Sequence, residues 1–130
     1  MTLIEEAKQL LGMTLTPEQD AQFNIYQREL ADWNTRMNLT AITEPDEVRV
    51  RHFLDSLSIA MVMGFDPGDK VVDVGTGAGF PGLPLAIAYP QVSVTLMDAT
   101  AKSMIEYGKS LMSTLTEVRG HDPAGVCLFS

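Results

Sequence analysis

The chain has 130 residues and a formal net charge of −8, the length of one domain at most and a balance that argues against a broad nucleic-acid surface, which needs Lys and Arg to neutralise phosphate. Its single cysteine, Cys127, and its two histidines, His52 and His121, offer no disulfide framework and no zinc ligand spacing, so no metal is expected. Acids stand near the start where a signal peptide has bases, and no apolar run approaches the ~20 residues of a membrane span, so a soluble, cytoplasmic monomer is expected.

In chain order, a short helix is predicted over about Leu3 to Leu11, ending at Gly12. Thr16-Pro17-Glu18-Gln19 then supplies an N-cap, a first-turn proline and a capping-box glutamine for a second helix running to about Arg36. Tyr26, Leu30, Trp33 and Met37 recur at helical spacing and are assigned to the core. After the loop 38–43, Pro45 with Asp46 and Glu47 opens a third helix, whose buried stripe is expected to be Val50, Phe53, Leu54, Leu57 and Met61 and which Gly64 ends. Arg49, His52 and Ser56 fall on another side, with Asp55 beside them. Residues 1–64 thus form an N-terminal helical region.

Residues 65–112 read as a βαβ unit. A turn over 65–69 leads into a strand, Lys70 to Val74, that empties into Gly75-Thr76-Gly77-Ala78-Gly79. Glycines in three of five positions let the backbone reverse sharply and let a ligand approach the main chain. Pro81 and Pro84 confine the next helix to about Pro81 to Tyr89, before Pro90. A second strand over Val92 to Met97 brings Asp98 to its end, about 20 residues past the glycines, where a ribose-binding acid is expected. Asp98 alone also reads as a helix cap, a task that Thr100 could share. A helix is predicted over about Thr100 to Thr114 with Met104, Ile105, Leu111 and Met112 as its apolar side, weakened by Gly108. Residues 113–130 form a divergent tail in which Val126 to Phe129 could be a strand.

Two ligand classes compete for the turn. Gly77-Ala78-Gly79-Phe80-Pro81-Gly82 also fits the dinucleotide pattern G-x-G-x-x-G, which is weak alone. A dinucleotide places its pyrophosphate at the helix start, where the fixed carboxylate of Asp73 would repel it. S-adenosylmethionine carries a sulfonium and no phosphate, so Asp73 favours it, and an oxidoreductase binding NAD is the weaker alternative. The pattern D-x-G-x-G-x-G resembles motif I of the class I methyltransferases.

Asn38-Leu39-Thr40, Arg51-His52-Phe53-Leu54-Asp55-Ser56-Leu57 and the run Val72 to Ala86 with its two prolines together resemble the small-subunit ribosomal RNA methyltransferase G family, also called glucose-inhibited division protein B. The resemblance spans roughly Leu3 to Lys102. It implies an α/β chain with N-terminal helices followed by the first βαβ portion of a class I, Rossmann-like sheet. The activity it implies is transfer of methyl from S-adenosylmethionine to N7 of a guanine in 16S ribosomal RNA, with that RNA or the small ribosomal subunit as partner. Gly75 and Phe80 are the positions that contact the cofactor in that family, and Asp98, Ala99 and Thr100 occupy the strand-end segment facing the adenosine. Asp73, Thr76, Gly77 and Gly79 complete the expected cofactor site.

Guanine N7 already presents a lone pair, so in-line positioning suffices and no catalytic base is named. Asn38, Thr40, His52, Asp55 and Ser56 are the candidates for the polar rim of a substrate pocket. A structural histidine explains His52 equally well, and Asp55 could pair with Arg51 four residues back. Arg36, Arg49 and Arg51 could face phosphate, or simply form a solvated helix surface. After Lys102 the family pattern stops: Ser103 stands where the family has a base, and Ser113 to Ser130 lacks the later elements. A truncated or frame-shifted copy is therefore expected, with a strand edge left bare along Lys70 to Val74. A non-catalytic fragment is the alternative function.

Overall fold

A computed structural model of the chain describes residues 2–98, 102–119 and 126–129. Helix α1 (Leu3–Leu11) is opened by the Thr2 hydroxyl, which accepts the Glu5 amide, and closed by Gly12 at φ +63°. Helix α2 (Pro17–Asn34) carries the expected capping box between Thr16 and Gln19. The Gln19 side chain also reaches across the molecule: its Nε2 donates to the carbonyls of Ile87 and Ala88 at 3.0 and 3.2 Å. One amide group thereby closes the start of α2 and satisfies the end of a helix near residue 88.

The third helical run is not one α-helix. A single turn, α3 (Pro45–Glu47), passes into a π-helix, π1 (Val48–Leu54), then α4 (Asp55–Leu57) and, after a break at Ser58 and Ile59, α5 (Ala60–Met63). In a π-helix the turn holds an extra residue, so positions five apart share a face. Val48 and Phe53 are accordingly buried, and Val50, expected in the core on α-helical spacing, is 45% exposed. Met61 lies beyond the break and is exposed with Val62 and Met63. The expected stripe is right only for Phe53, Leu54 and Leu57.

Strand β1 (Lys70–Val74) is followed by α6 (Gly82–Ala88), β2 (Ser93–Met97), α7 (Lys102–Arg119) and β3 (Val126–Phe129). The strands form one parallel sheet in the order β1-β2-β3, with Val72 opposite Thr95 and Leu96 opposite Leu128. This is the incomplete α/β, Rossmann-like arrangement expected. The terminal segment that only hinted at a strand is the third member of the sheet.

A continuous core joins the N-terminal helices to one face of the sheet, through Phe23, Tyr26, Leu30, Phe53, Leu83, Ile87, Val94 and Leu96 among others. Helix α7 packs on α2 through Tyr107, Leu111 and Leu115, with Met112 partly buried beside them. The side chains of Met104 and Ile105 lie outside the described residues. Trp33, assigned to the core, is half-buried with its ring edge-on to Tyr107.

The other sheet face is bare among the described residues. Val72 and Val74 are 57% and 77% exposed, and Met97 beside Val74 is 38% exposed. Parallel sheets ordinarily have both faces covered, and among the described residues β1 is also an edge strand.

Candidate functional site

The chain leaves β1 at Val74 and reverses through Gly75, Gly77 and Gly79, whose φ values are +73°, +56° and +108°. Side chains other than glycine rarely take these values, which is why three glycines sit here. Two of them have a further property. A Cβ added at Gly75 or Gly77 would meet open space, whereas one at Gly79 would collide with the Tyr26 hydroxyl. The first two glycines therefore leave a clear side for a ligand, and the third lets α2 approach the turn.

The amides of Gly75, Thr76, Gly77, Gly79 and Phe80 are bound within the protein. Gly75 and Thr76 donate to the Met97 carbonyl at 2.7 and 3.1 Å, tying the turn to the end of β2. Gly77 donates to Asp98 Oδ2 at 2.8 Å. Gly79 and Phe80 donate to the Thr76 carbonyl at 2.9 and 3.2 Å. Asp73 is nearly buried, and its Oδ2 accepts both the Thr76 hydroxyl at 2.7 Å and the Gly82 amide at 3.0 Å. A phosphate seated at a helix start depends on such amides being available. Here a carboxylate of the protein already holds that position. The residues fit a ligand that brings positive charge or hydroxyls to the turn better than one that brings a pyrophosphate.

Close approach of strand and helix depends on Gly82, where a Cβ would stand 2.5 Å from Leu96 Cδ2 and 2.9 Å from Asp73 Cβ. Phe80 precedes a cis peptide to Pro81 and stacks with two other rings. His52 stacks on it at 4.2 Å with 10° between planes, and Tyr26 on it at 5.5 Å with 19°. His52 Nε2 shares a hydrogen bond of 2.8 Å with Thr40 Oγ1. Thr40 is itself fixed, its hydroxyl oxygen accepting the Ile42 amide and its own amide donating to Asn34 Oδ1. Desolvation, and then the Arg51 charge, holds the His52 imidazole below the usual histidine range, with Asp55 opposing.

The structure thus gathers Asp73, Gly75, Thr76, Gly77, Gly79, Phe80 and Asp98 in one turn, with Thr40 and His52 joined to it through Phe80. Ala99 and Thr100 lie outside the described residues. Asn38 and Asp55 are exposed. Ser56 is 4% exposed and faces the interior, so its hydroxyl is not on an open rim.

The arginines bear on the alternatives left open: Arg36 pairs with Asp32 at 3.1 Å and lies over Trp33, and Arg49 bridges Glu6 and Asp46, so these two guanidinium groups are engaged within the protein. Arg51 is exposed, and among the described residues it forms no ion pair with Asp55.

Sequence reasoning missed the two tyrosine hydroxyls beneath the turn. Tyr26 and Tyr107 each donate to the Ala78 carbonyl at 2.7 Å. A tyrosine in a core stripe signals a hydroxyl in need of a partner, but nothing in the sequence says which carbonyl it finds. Among the described residues no cluster of His, Cys, Asp and Glu side chains could hold a metal, and no helix is long and apolar enough to cross a membrane.

Comparison with known proteins adds an independent line. A profile of the GidB family, rRNA small subunit methyltransferase G, matches residues 19–117. Proteins named ribosomal RNA small subunit methyltransferase G are similar to the chain: that of Lachnoclostridium phytofermentans is 55% identical over 92 residues, 71% of this chain and 38% of the relative. The Caldanaerobacter subterraneus protein is 48% identical over 94 residues, 72% of this chain and 39% of its own length. That of Dehalococcoides mccartyi is 50% identical over 92 residues, 71% and 39% respectively. The chain's matching part spans about two-fifths of the length of these relatives.

Proposed function

Because the chain belongs to the rRNA small subunit methyltransferase G family, we propose that its glycine turn holds S-adenosylmethionine for methyl transfer to N7 of a guanine in 16S ribosomal RNA. The observation that carries the cofactor assignment is the bond between Asp73 and the Gly82 amide, which fills the helix start with the protein's own negative charge. A pyrophosphate would meet that charge and find the Gly82 amide at the helix start already taken, which argues against the NAD-dependent alternative.

In this reading Gly75, Thr76 and Gly77 line the side on which the ligand lies, and Asp98, which accepts the Gly77 amide, stands at the strand end toward the ribose. Ala99 and Thr100 continue that segment. Phe80 follows the turn in an aromatic stack with Tyr26 and His52. Asp73 holds the turn from beneath and contributes a negative potential to it. The cofactor supplies an electrophilic methyl group, and the protein's part is to place that methyl in line with a lone pair that needs no base.

The guanine is assigned to the side of the turn marked by Thr40 and His52, with exposed Asn38 and Asp55 at its margin. A base that lies in a stacked context must leave it to reach the methyl, and the partly exposed His52 ring is a surface on which it can rest. We place the protein in the cytoplasm, where such RNA is made. Incubation with isotopically labelled S-adenosylmethionine and small ribosomal subunits lacking the modification should put label into the RNA at guanine N7.

The bare sheet face at Val72 and Val74 favours a second reading, a chain that binds the cofactor without transferring methyl. Binding of S-adenosylhomocysteine with no labelled RNA would select it.

A further inference from the structure

We propose that Tyr26 and Tyr107 are positioning residues for the ligand of the glycine turn, acting together as a clamp on the Ala78 carbonyl. The proposal rests on the cofactor reading above.

The two hydroxyls come from different helices, α2 and α7, and each donates to the same oxygen at 2.7 Å. Both rings are buried, and a carbonyl oxygen has two lone pairs, so the pair satisfies it fully. The neighbouring residue explains why a clamp is needed. Gly79 sits at φ +108° with no Cβ to restrict rotation, and on its other side the peptide between Ala78 and Gly79 is held by one bond, from the Gly79 amide to the Thr76 carbonyl at 2.9 Å. Two donors beneath the carbonyl select one orientation, because the reversed peptide would turn an N–H toward them and bury an unpaired carbonyl elsewhere. That orientation is the one in which Gly75 and Gly77 leave their clear side.

The clamp also reaches the aromatic wall, since the Tyr26 ring is the one stacked on Phe80. Burial raises the pKa of both phenols well above the ordinary tyrosine value, so both stay protonated donors through the neutral range. Helix α7 thereby has a part in the site although it contributes no residue to the turn.

Removing one hydroxyl leaves the carbonyl its other donor, and removing both leaves it buried and bare. Tyr26→Phe and Tyr107→Phe are therefore expected to weaken S-adenosylhomocysteine binding by only about 2- to 5-fold each, and the double variant by about 30-fold or more, beyond the product of the singles. Backbone hydrogen exchange without ligand gives the second measurement. The amides of Gly77, Gly79 and Phe80 should exchange faster in the double variant, with those of Val94 and Leu96 in β2 unchanged.

Wild-type-like affinity, effects that merely multiply, or unchanged exchange in the turn would each overturn the clamp. If the double variant does not fold, the single variants decide by exchange: selective loss at Gly79 and Phe80 supports the clamp, and a uniform change across the sheet overturns it. A wild-type chain that takes up no S-adenosylhomocysteine overturns the cofactor reading and the ligand role with it. Faster turn exchange in the variants would then leave a clamp on the backbone alone.

Discussion

The carboxylate of Asp73 accepts the backbone amide of Gly82 at 3.0 Å, so the acid of the first strand closes the start of the helix that follows the glycine turn. The same oxygen takes the Thr76 hydroxyl, and strand, turn and helix meet on one atom. Asp73→Ala would strand a buried amide and a hydroxyl, at a cost of about 2 to 4 kcal/mol. Asp73→Asn should recover part of this through its carbonyl oxygen. Urea unfolding of the three proteins checks the order, and equal stability of Ala and wild type would show that the bond does not hold the turn.

Gln19 joins the beginning of α2 to the end of α6, its Oε1 accepting the Thr16 amide and its Nε2 donating to two carbonyls. Gln19→Leu keeps the bulk and loses both functions, which should cost about 1 to 3 kcal/mol. Gln19→Glu should cost at least as much, since a carboxylate can cap α2 but faces the Ile87 and Ala88 carbonyls without a donor. Denaturation midpoints within error of wild type would contradict this linkage.

Much of this was legible in the sequence because it depends on neighbours. The capping box at Thr16 to Gln19, the stop at Gly12, the short helix between Pro81 and Pro90 and the strand before the glycines all follow from local chemistry. What failed was set at a distance. Nothing near Val50 announces that Val48 to Leu54 takes π-helical turns, and that change of period moved Val50 from core to surface. Arg49 reads as a free cation until α1 brings Glu6 against it. The residues of the glycine turn could be named in advance, but not that Asp73 points under the turn, nor that two tyrosines hold it from below.

His52 gives a pH dependence of known sign. Its folded-state pKa lies below the ordinary 6.5 because burial, and then Arg51, disfavours the charged ring. As pH falls the unfolded chain takes up this proton first. The neutral ring's contribution is thus full above the ordinary value and is lost as pH drops through the folded-state one. Between about pH 7.5 and about pH 5.5, wild type should lose more stability than His52→Gln. Equal losses in paired urea titrations would contradict the assignment.

The exposed sheet face has a consequence for behaviour in solution. Val72 and Val74 stand on one face of an edge strand, which invites pairing between copies. Val72→Lys with Val74→Lys should raise the concentration at which sedimentation detects self-association, with little change in unfolding midpoint. No change in association would place its cause elsewhere.

The central claim is that the glycine turn accepts a sulfonium-bearing or uncharged nucleoside and refuses a pyrophosphate. Calorimetric titration of the purified chain with S-adenosylhomocysteine and, separately, with NAD tests it most directly. Saturable heat with the first and none with the second is the predicted result. Tight NAD binding, or S-adenosylhomocysteine affinity unaltered by Gly77→Val, would contradict it.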